Sequence, residues 1–179
     1  SANYDVSANV VAVNDAPTDL SLSANTVAEN VANGTVVGTI TATDPDVGDT
    51  KAYSLTSTAG GRFAINSSTG VITVANGSLL NYESATSHNV TVRVTDSGGL
   101  TYDETFTINV TDVNEATPVI SSNGGGATAS VTVSENATAV TTVTATDADT
   151  RQTLAYSITG GADAAKFAIN SSTGALSFV

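Results

Sequence analysis

Apolar and polar residues alternate along much of this chain with a period of two. Segments 89–95 and 105–111 place Val, Ile or Phe at every second position, with polar residues between them. This pattern predicts β-strands with one face in a core and the other in water. Four shorter apolar segments predict further strands: Val36 to Thr43, Tyr53 to Leu55, Phe63 to Ile65 and Val71 to Val74. Turn-forming residues separate these segments, and none has the period of about 3.6 that indicates a helix.

An eight-residue sequence, FAINSSTG, occurs twice, at Phe63 to Gly70 and at Phe167 to Gly174. Other landmarks recur in the same order around it: Glu29-Asn30 matches Glu135-Asn136, and Thr41 to Asp44 matches Thr144 to Asp147. Solenoid units repeat every ~20 to 50 residues, and this period is about a hundred, so each repeat is expected to be a domain with its own core. The sequence therefore indicates a tandem array.

The repeat predicts four parts of the chain. Residues 1–17, which include a strand at Tyr4 to Val13, are expected to end a preceding domain, and 18–113 to form a complete one. Residues 114–117 are the expected linker, and 118–179 the N-terminal part of a further domain. In that last part, strands are expected at Val131 to Val133, Val143 to Ala145, Leu154 to Ile158, Phe167 to Ile169 and Leu176 to Phe178. About seven strands in a domain of this length predict an antiparallel β-sandwich.

The net charge of the chain limits the kinds of molecule that it is expected to bind. The chain has 179 residues, 17 acidic against 5 basic ones, a net charge of −12, and no Cys, Met or Trp. Such an acidic chain is not expected to bind nucleic acid or anionic membranes. No apolar run is long enough for a membrane helix and no signal peptide is visible, so no direct membrane insertion of these residues is expected.

Acidic residues are concentrated at strand ends and in the linkers. Asp44 and Asp46 follow one predicted strand, Asp147 and Asp149 follow its counterpart, and Asp96 follows segment 89–95. Carboxylates placed alternately in a tight turn can direct their oxygens to one point, and Ca²⁺ collects six to eight oxygens at roughly 2.3 to 2.6 Å. One Asp-x-Asp is a weak signal, whereas several acidic elements in this order form a strong one.

At these positions the chain resembles the cadherin repeat, in the form found in bacterial and other surface adhesins. The resemblance covers essentially the whole chain and runs through Ala28-Glu29-Asn30, Ala42 to Gly48, Leu80-Asn81-Tyr82-Glu83, Val92 to Gly98 and Asp112 to Ala116. It implies an all-β fold of tandem antiparallel β-sandwiches with the Greek-key, immunoglobulin-like connections of cadherins. In cadherins, Ca²⁺ ions are bound between successive domains.

The resemblance also implies which residues bind the metal. Carried over position by position, the junction after the complete domain would use Glu29, Glu83, Asp112, Asn114, Glu115, Asp147 and Asp149. The junction before it would use Asn14, Asp15, Asp44, Asp46 and Asp96. Such groups of carboxylates repel one another without a cation, so Ca²⁺ is the expected cofactor. Thr117 adds one residue to the linker before Pro118.

Three functions remain open from the sequence. The first is a calcium-dependent module for adhesion or spacing on a cell surface or in a secreted protein, with another cell-surface protein, or a second copy of itself, as partner. The second is a carbohydrate-binding or accessory domain of a large surface enzyme or toxin. The third, an enzyme, is not expected, because the chain has no Cys, one histidine and no acid/base pair outside the linkers. His88, Asp49 and the Asp103-Glu104 pair are expected at the surface, and no catalytic residue is predicted.

Overall fold

The computed structural model describes residues 13–149 and 151–179. The chain divides into two compact units, Ser1–Thr111 and Asp112–Val179. The strand predicted at Tyr4 to Val13 falls almost wholly outside the described residues, and the domain limits inferred from the repeat stay a prediction. Within the described residues, the helical elements are three short 3-10 turns, and none has the length and hydropathy needed to cross a membrane.

The first unit is built from two sheets, with eight strands among its described residues. In chain order they are β1 (Asp19–Leu22), β2 (Thr26–Ala28), β3 (Val36–Thr43), β4 (Ala52–Ser57), β5 (Phe63–Ile65), β6 (Val71–Val74), β7 (Ser87–Thr95) and β8 (Thr101–Thr111). The sheet orders are β1-β3-β6-β5 and β2-β8-β7-β4. Every pairing is antiparallel except that of β2 with β8, which is parallel. The all-β sandwich predicted from the sequence is therefore confirmed.

Alternation along the strands produces the core of this unit. Val90, Val92 and Val94 on β7 have no exposed surface, and Ile40 and Ile72 from the other sheet are at most 1% exposed. Burying an aliphatic side chain of this size stabilises a fold by roughly 1.5–3 kcal/mol. The two sheets are therefore held by residues that the period-two pattern alone identifies.

The strand limits agree closely with the predictions in this unit. Three predicted strands have the expected limits, at Val36–Thr43, Phe63–Ile65 and Val71–Val74. The other three are longer than predicted: β4 starts one residue earlier and ends two later, β7 begins at Ser87, and β8 begins at Thr101. Strands β1 and β2 were not predicted individually, because segments of three or four residues are too short to show a period.

The second unit has five short strands among its described residues. They are β9 (Val119–Ile120), β10 (Ala139–Thr142), β11 (Ala145–Thr146), β12 (Phe167–Ile169) and β13 (Ala175–Phe178). Strands β10, β13 and β12 form one sheet in that order, and β11 pairs with β9. Strands β12 and β13 confirm the predictions at Phe167 to Ile169 and Leu176 to Phe178.

Three other strand predictions in this unit are wrong. Val131 to Val133 and Leu154 to Ile158 are not strands, and the strand expected at Val143 to Ala145 is replaced by β10 and β11 on either side of Val143. In the first unit the counterparts of the first two segments are β2 and β4, which pair only with β8 and β7. The described residues of the second unit contain no counterpart of β7 or β8. Without a neighbour to receive their backbone hydrogen bonds, these segments form no ladder.

The two FAINSSTG copies have the same local structure. In each, a three-residue strand runs into a turn where the Asn side chain, Asn66 or Asn170, accepts hydrogen bonds from the second and third following backbone N–H groups at 2.9–3.0 Å. Gly70 and Gly174 end the turns with φ of +69° and +70°. A Cβ on Gly70 would lie 2.5 Å from the Ile40 carbonyl oxygen, so both conformation and space require glycine.

His88 differs from its predicted surface position. Its ring is half-buried on β7 and packs 6.5 Å, between centroids, from the Phe63 ring. Its Nε2 atom is buried and has no hydrogen-bond partner among the described residues. Burial, and then the nearby Arg62 guanidinium, hold the pKa of His88 below its ordinary value. The imidazole is therefore a neutral packing group.

Candidate metal centre

An acidic turn follows β3 in the first unit, at residues 44–49. The backbone N–H of Asp46 donates to Oδ1 of Asp44 at 2.9 Å, and the N–H of Asp49 donates to the Asp46 carbonyl oxygen at 3.2 Å. Gly48 has a φ of +89°, which allows the chain to reverse here. The sequence thus fixes three carboxylates on one tight turn.

One oxygen of Asp44 lacks a partner. Its Oδ2 atom is buried and accepts no hydrogen bond from any residue in the described part of the chain. A buried polar atom left unsatisfied costs roughly 1–3 kcal/mol, and more when it is charged. Native structures rarely leave such an atom unpaired. A partner from outside the chain is the simplest way to satisfy it.

Asp96, directly after β7, is the most buried carboxylate of this region. It is 6% exposed, and its Oδ1 accepts the backbone N–H of Leu100 at 2.8 Å. The backbone N–H of Asp96 in turn donates to the Leu100 carbonyl oxygen at 3.0 Å. This hairpin turn holds the carboxylate in a single orientation, with lone pairs on both oxygens still available.

The segment before β1 is bonded to the same region. The Asn14 amide Nδ2 donates to Oδ2 of Asp96 at 2.9 Å, and the backbone N–H of Asp15 donates to Oδ2 of Asp46 at 2.7 Å. A Cβ on Gly98 would lie 2.4–2.6 Å from the Asn14 amide atoms, so glycine there is needed for Asn14 to approach. The structure therefore brings together all five residues predicted for this junction.

Asp49 is a further acidic residue in this group. One carboxylate oxygen from each of Asp44, Asp49 and Asp96 lies within 4.8 Å of the others. Asp49 Oδ2 also accepts the backbone N–H of Ser97 at 3.1 Å. Hydrogen bonds from Ser97 hold the pKa of Asp49 below its ordinary value, so this carboxylate is charged at neutral pH.

No basic side chain neutralises this group through an ion pair within the described residues. Arg93 pairs with Asp103 and Lys166 pairs with Asp163, each at 2.7 Å, and neither pair includes a carboxylate of this group. Lys51 lies beside the turn, but its Nζ contacts the Asp49 carbonyl oxygen at 3.4 Å. Several carboxylates with no ion-paired basic side chain, one of them with an unpartnered oxygen, form a donor set that fits a hard cation.

Glu29 is the most buried acidic residue of the first unit. It follows β2, is 1% exposed, and its Oε2 accepts the backbone N–H of Tyr82 at 2.7 Å. Its own N–H donates to the Thr111 carbonyl oxygen at 3.1 Å, at the end of β8. Glu83 is exposed in the turn that follows Tyr82. Two of the seven residues predicted for the second junction thus lie at this end of the first unit.

The other five predicted residues belong to the second unit. Asp147 and Asp149 follow β11, and Asp149 is 3% exposed. Oδ1 of Asp112 is buried and has no hydrogen-bond partner among the described residues. Asn114 and Glu115 are exposed in the segment before Pro118.

The acidic turn has the same hydrogen bonds in both units. In the second unit Asp149 N–H donates to Oδ1 of Asp147 at 3.0 Å, and Gln152 N–H donates to the Asp149 carbonyl oxygen at 3.3 Å. Oδ2 of Asp149 accepts a linker N–H, that of Ala116, at 3.0 Å. Ala116 and its counterpart Asp15 both lie two residues before a proline. In both units, therefore, the linker residue that bonds to the acidic turn is the second residue before the proline, although the second linker contains the additional Thr117.

Comparison with known proteins identifies the family. The sequence model of the cadherin domain matches residues 24–111. The chain belongs to the cadherin family. The protocadherin-like wing polarity protein stan of Drosophila melanogaster is 38% identical over 163 residues, which are 84% of this chain and 4% of that protein. Human protocadherin Fat 4 is 35% identical over 161 residues, 84% of this chain and 3% of its own length. This chain thus spans a small fraction of the cadherins that it matches.

Solved cadherin structures share the fold. The protocadherin gammaB7 EC3-6 cis-dimer structure has a TM-score of 0.80 and 26% identity, and the alignment covers 96% of this chain and 44% of that one. Mouse cadherin-23 EC22-24 has a TM-score of 0.69 and 30% identity, covering 90% of this chain and 53% of that one. The cadherin-repeat and β-sandwich assignments made from the sequence are therefore confirmed.

Asp49 is the residue that sequence reasoning did not assign to this cadherin repeat's acidic group. From the sequence it is expected on a solvated loop, and it follows Gly48, outside the Asp-x-Asp pair. The turn closed by the Asp49 N–H returns its side chain toward Asp96. A third aspartate just after the Asp-x-Asp-x-Gly sequence was the available signal, and Gln152 at the matching position of the second unit does not carry it.

Proposed function

We propose that this chain is part of an extracellular cadherin array that binds Ca²⁺ through the acidic groups at the ends of its repeats. The first group consists of Asn14, Asp15, Asp44, Asp46 and Asp96, with Asp49 added by its position. The second consists of Glu29, Glu83, Asp112, Asn114, Glu115, Asp147 and Asp149. Each group combines carboxylate and side-chain amide oxygens, and oxygen atoms are the ligands that Ca²⁺ prefers.

The unpartnered Oδ2 of Asp44 is the observation that carries this proposal. It is buried, and oxygens of Asp49 and Asp96 lie within 4.8 Å of an Asp44 oxygen. A water molecule could donate to one such oxygen, but it would leave several like charges together. A bound divalent cation satisfies the oxygen and also offsets the repulsion.

The surrounding hydrogen bonds prepare the residues for binding. Leu100 holds Asp96, the Asp46 N–H holds Asp44, and the Asp15 N–H holds Asp46. Each of these bonds uses one lone pair of a carboxylate and leaves others for a ligand. Bound Ca²⁺ supplies the positive charge that the group lacks. The carboxylates keep their orientation without it, so binding requires little rearrangement.

We infer that binding stiffens the array and so serves adhesion or spacing at a cell surface. Several of the proposed ligands lie in the linkers. A bound cation removes the repulsion between these ligands and so restricts the movement of the linker. We infer that the partner is another cell-surface protein or a second copy of the same array. One of the matched protocadherin structures is a cis-dimer, which supports self-association as one form of the interaction.

Carbohydrate binding is the less favoured alternative. Sugar-binding surfaces commonly use exposed aromatic rings for stacking. Among the described Phe and Tyr residues, Phe178 alone is exposed, and the others are buried or half-buried. No aromatic platform therefore supports this function.

Isothermal titration of the full chain with CaCl₂ tests the proposal. We expect dissociation constants of ~10⁻⁴ to 10⁻³ M, the range of extracellular calcium modules. Asp44→Asn keeps the side-chain shape and should weaken one site by about tenfold, equivalent to ~1.4 kcal/mol. Mg²⁺ should bind less well because it requires octahedral geometry and retains its waters.

Asp103→Asn is the matched control. It removes the same charge from the exposed face of β8, where Asp103 pairs with Arg93. Its calcium affinity should equal that of the unmodified chain. Equal losses from Asp44→Asn and Asp103→Asn would show that net charge, and not a built site, attracts the ion, and would refute the proposal.

A further inference from the structure

Three Asn-Gly pairs occur in this chain, at Asn33-Gly34, Asn76-Gly77 and Asn123-Gly124. Asparagine followed by glycine can react without an enzyme, because glycine has no Cβ to hinder the approach of its backbone nitrogen. After this nitrogen loses its proton, it attacks the Asn side-chain carbon Cγ, a C–N bond forms, and ammonia leaves. Water then opens the cyclic imide to give aspartate or isoaspartate. One amide is thus hydrolysed to one carboxylate.

Hydrogen bonds oppose this reaction at the first pair. The attacking nitrogen, that of Gly34, donates to the Val74 carbonyl oxygen at 2.7 Å. The Asn33 side-chain oxygen accepts the backbone N–H of Gly77 at 2.9 Å. The nucleophile and the carboxamide therefore each have a different partner, and both bonds must break before the ring can close.

The second pair is protected by the same contact. The attacking nitrogen is that of Gly77, whose N–H is the group donated to Asn33. The Asn76 side-chain oxygen accepts the N–H of Ser78 at 3.2 Å and its hydroxyl at 2.7 Å, which caps the 3-10 turn Gly77–Leu79. Gly77 is buried, and a Cβ there would overlap the Val31 carbonyl oxygen. This backbone has little freedom to rotate.

The third pair has neither form of protection. Asn123 is exposed, with a φ of +51°, in the turn Ser122–Gly124 that follows β9. Neither the Gly124 nitrogen nor the Asn123 carboxamide makes a hydrogen bond to any residue that the structure describes. A Cβ on Gly124 would meet no atom within 4 Å, and two further glycines follow it. The backbone is free to bring nitrogen and Cγ together.

We propose that Asn123 is a site of spontaneous deamidation in the folded protein, whereas Asn33 and Asn76 are preserved by their hydrogen bonds. The product adds a carboxylate to a chain that already has a net charge of −12. In the isoaspartyl form it also adds a methylene group to the backbone. This change occurs just after β9, where Ile120 pairs with Ala145.

Peptide mapping by mass spectrometry tests the proposal on the full chain, incubated at mildly alkaline pH with and without urea. In the folded chain, Asn123 should deamidate more than about tenfold faster than Asn33 or Asn76. A tenfold factor corresponds to a hydrogen-bonded state that is ~1.4 kcal/mol more stable than the open state in which the ring can close. In urea the three sites should react at similar rates. Equal rates in the folded chain, or faster reaction at Asn33 or Asn76, would overturn the proposal.

A single substitution tests the protecting bond directly. Asn33→Ala removes the acceptor of the Gly77 N–H, so Asn76 should react faster without denaturant, while the rate at Asn123 stays the same. Circular dichroism checks that the variant is folded. An unchanged rate at Asn76 in the folded variant would show that this hydrogen bond does not control the reaction, and would refute the physical basis of the proposal.

Discussion

Replacing Asp44 by asparagine should stabilise the first unit in the absence of calcium but not in its presence. The substitution removes one negative charge from a group whose oxygens lie within 4.8 Å of one another. It keeps an oxygen to accept the Asp46 N–H, so the turn itself should remain. In chelator the variant should be more stable than the unmodified chain, and in calcium that advantage should disappear.

Coulomb's law gives the size of the first effect. Two unit charges 4.8 Å apart repel by about 0.9 kcal/mol in water and by about 3.5 kcal/mol at an effective dielectric constant of ~20. Asp44 and Asp49 are only partly buried, so solvent and salt screen them. We therefore expect a gain of ~1–2 kcal/mol in chelator. For a domain of about a hundred residues, each kcal/mol raises Tm by ~4–8 °C.

Calcium should add the opposite effect. At ten to a hundred times the dissociation constant, binding to the native state alone stabilises it by about 1.4–2.7 kcal/mol. The unmodified chain should show this shift, and Asp44→Asn, with its tenfold weaker site, should retain only about 0.4–1.4 kcal/mol of it. Thermal unfolding followed by circular dichroism, in chelator and in millimolar CaCl₂, measures both effects on one sample.

The control for this experiment is Asp103→Asn, which removes an equal charge from an exposed ion pair. Exposed pairs of this kind contribute little to stability, so this variant should be at most slightly less stable in both conditions and keep the full calcium shift. Lower stability of Asp44→Asn in chelator would refute the repulsion argument. A full calcium shift in that variant would remove Asp44 from the site.

Three further predictions concern other residues. Asp49→Asn should weaken calcium binding severalfold in titration although it lies outside the carried-over ligand set, and an unchanged affinity would remove Asp49 from the site. His88 has a folded-state pKa below its ordinary value of 6.5, so the unfolded chain binds the proton more readily. Stability should therefore be complete above pH 6.5 and fall as the pH decreases below it; His88→Leu should reduce this slope in urea unfolding, and an equal slope would contradict it. Gly70→Ala should destabilise by more than ~1 kcal/mol, because its Cβ would meet the Ile40 carbonyl oxygen at 2.5 Å and its φ is +69°. Gly48→Ala, with positive φ but no atom within 4 Å, should cost less, and equal costs would argue against the steric part.

The sequence predicted the first unit better than the second for a physical reason. Period-two alternation shows which side chains can lie on a buried face, but not whether a neighbouring strand is available. Residues 154–158 alternate as clearly as β4 does, yet β4 is a strand because β7 supplies its hydrogen bonds. The acidic turns could be predicted because their residues are close in sequence. The place of Asp49 in this group could not be predicted, because its approach to Asp96 depends on how the turn closes.

The parallel pairing of β2 with β8 determines how the first unit carries mechanical load. Thr26 pairs with Asn109 and Ala28 with Thr111, so the strand near the start of the unit runs alongside the strand that ends it, in the same direction. A tension that pulls the incoming and outgoing chain apart slides these two strands past each other along their length. Hydrogen bonds loaded in this way must break together, whereas an antiparallel pair pulled from one end opens one bond at a time. The β2–β8 pair should therefore resist such a pull more strongly than an antiparallel pair of the same length.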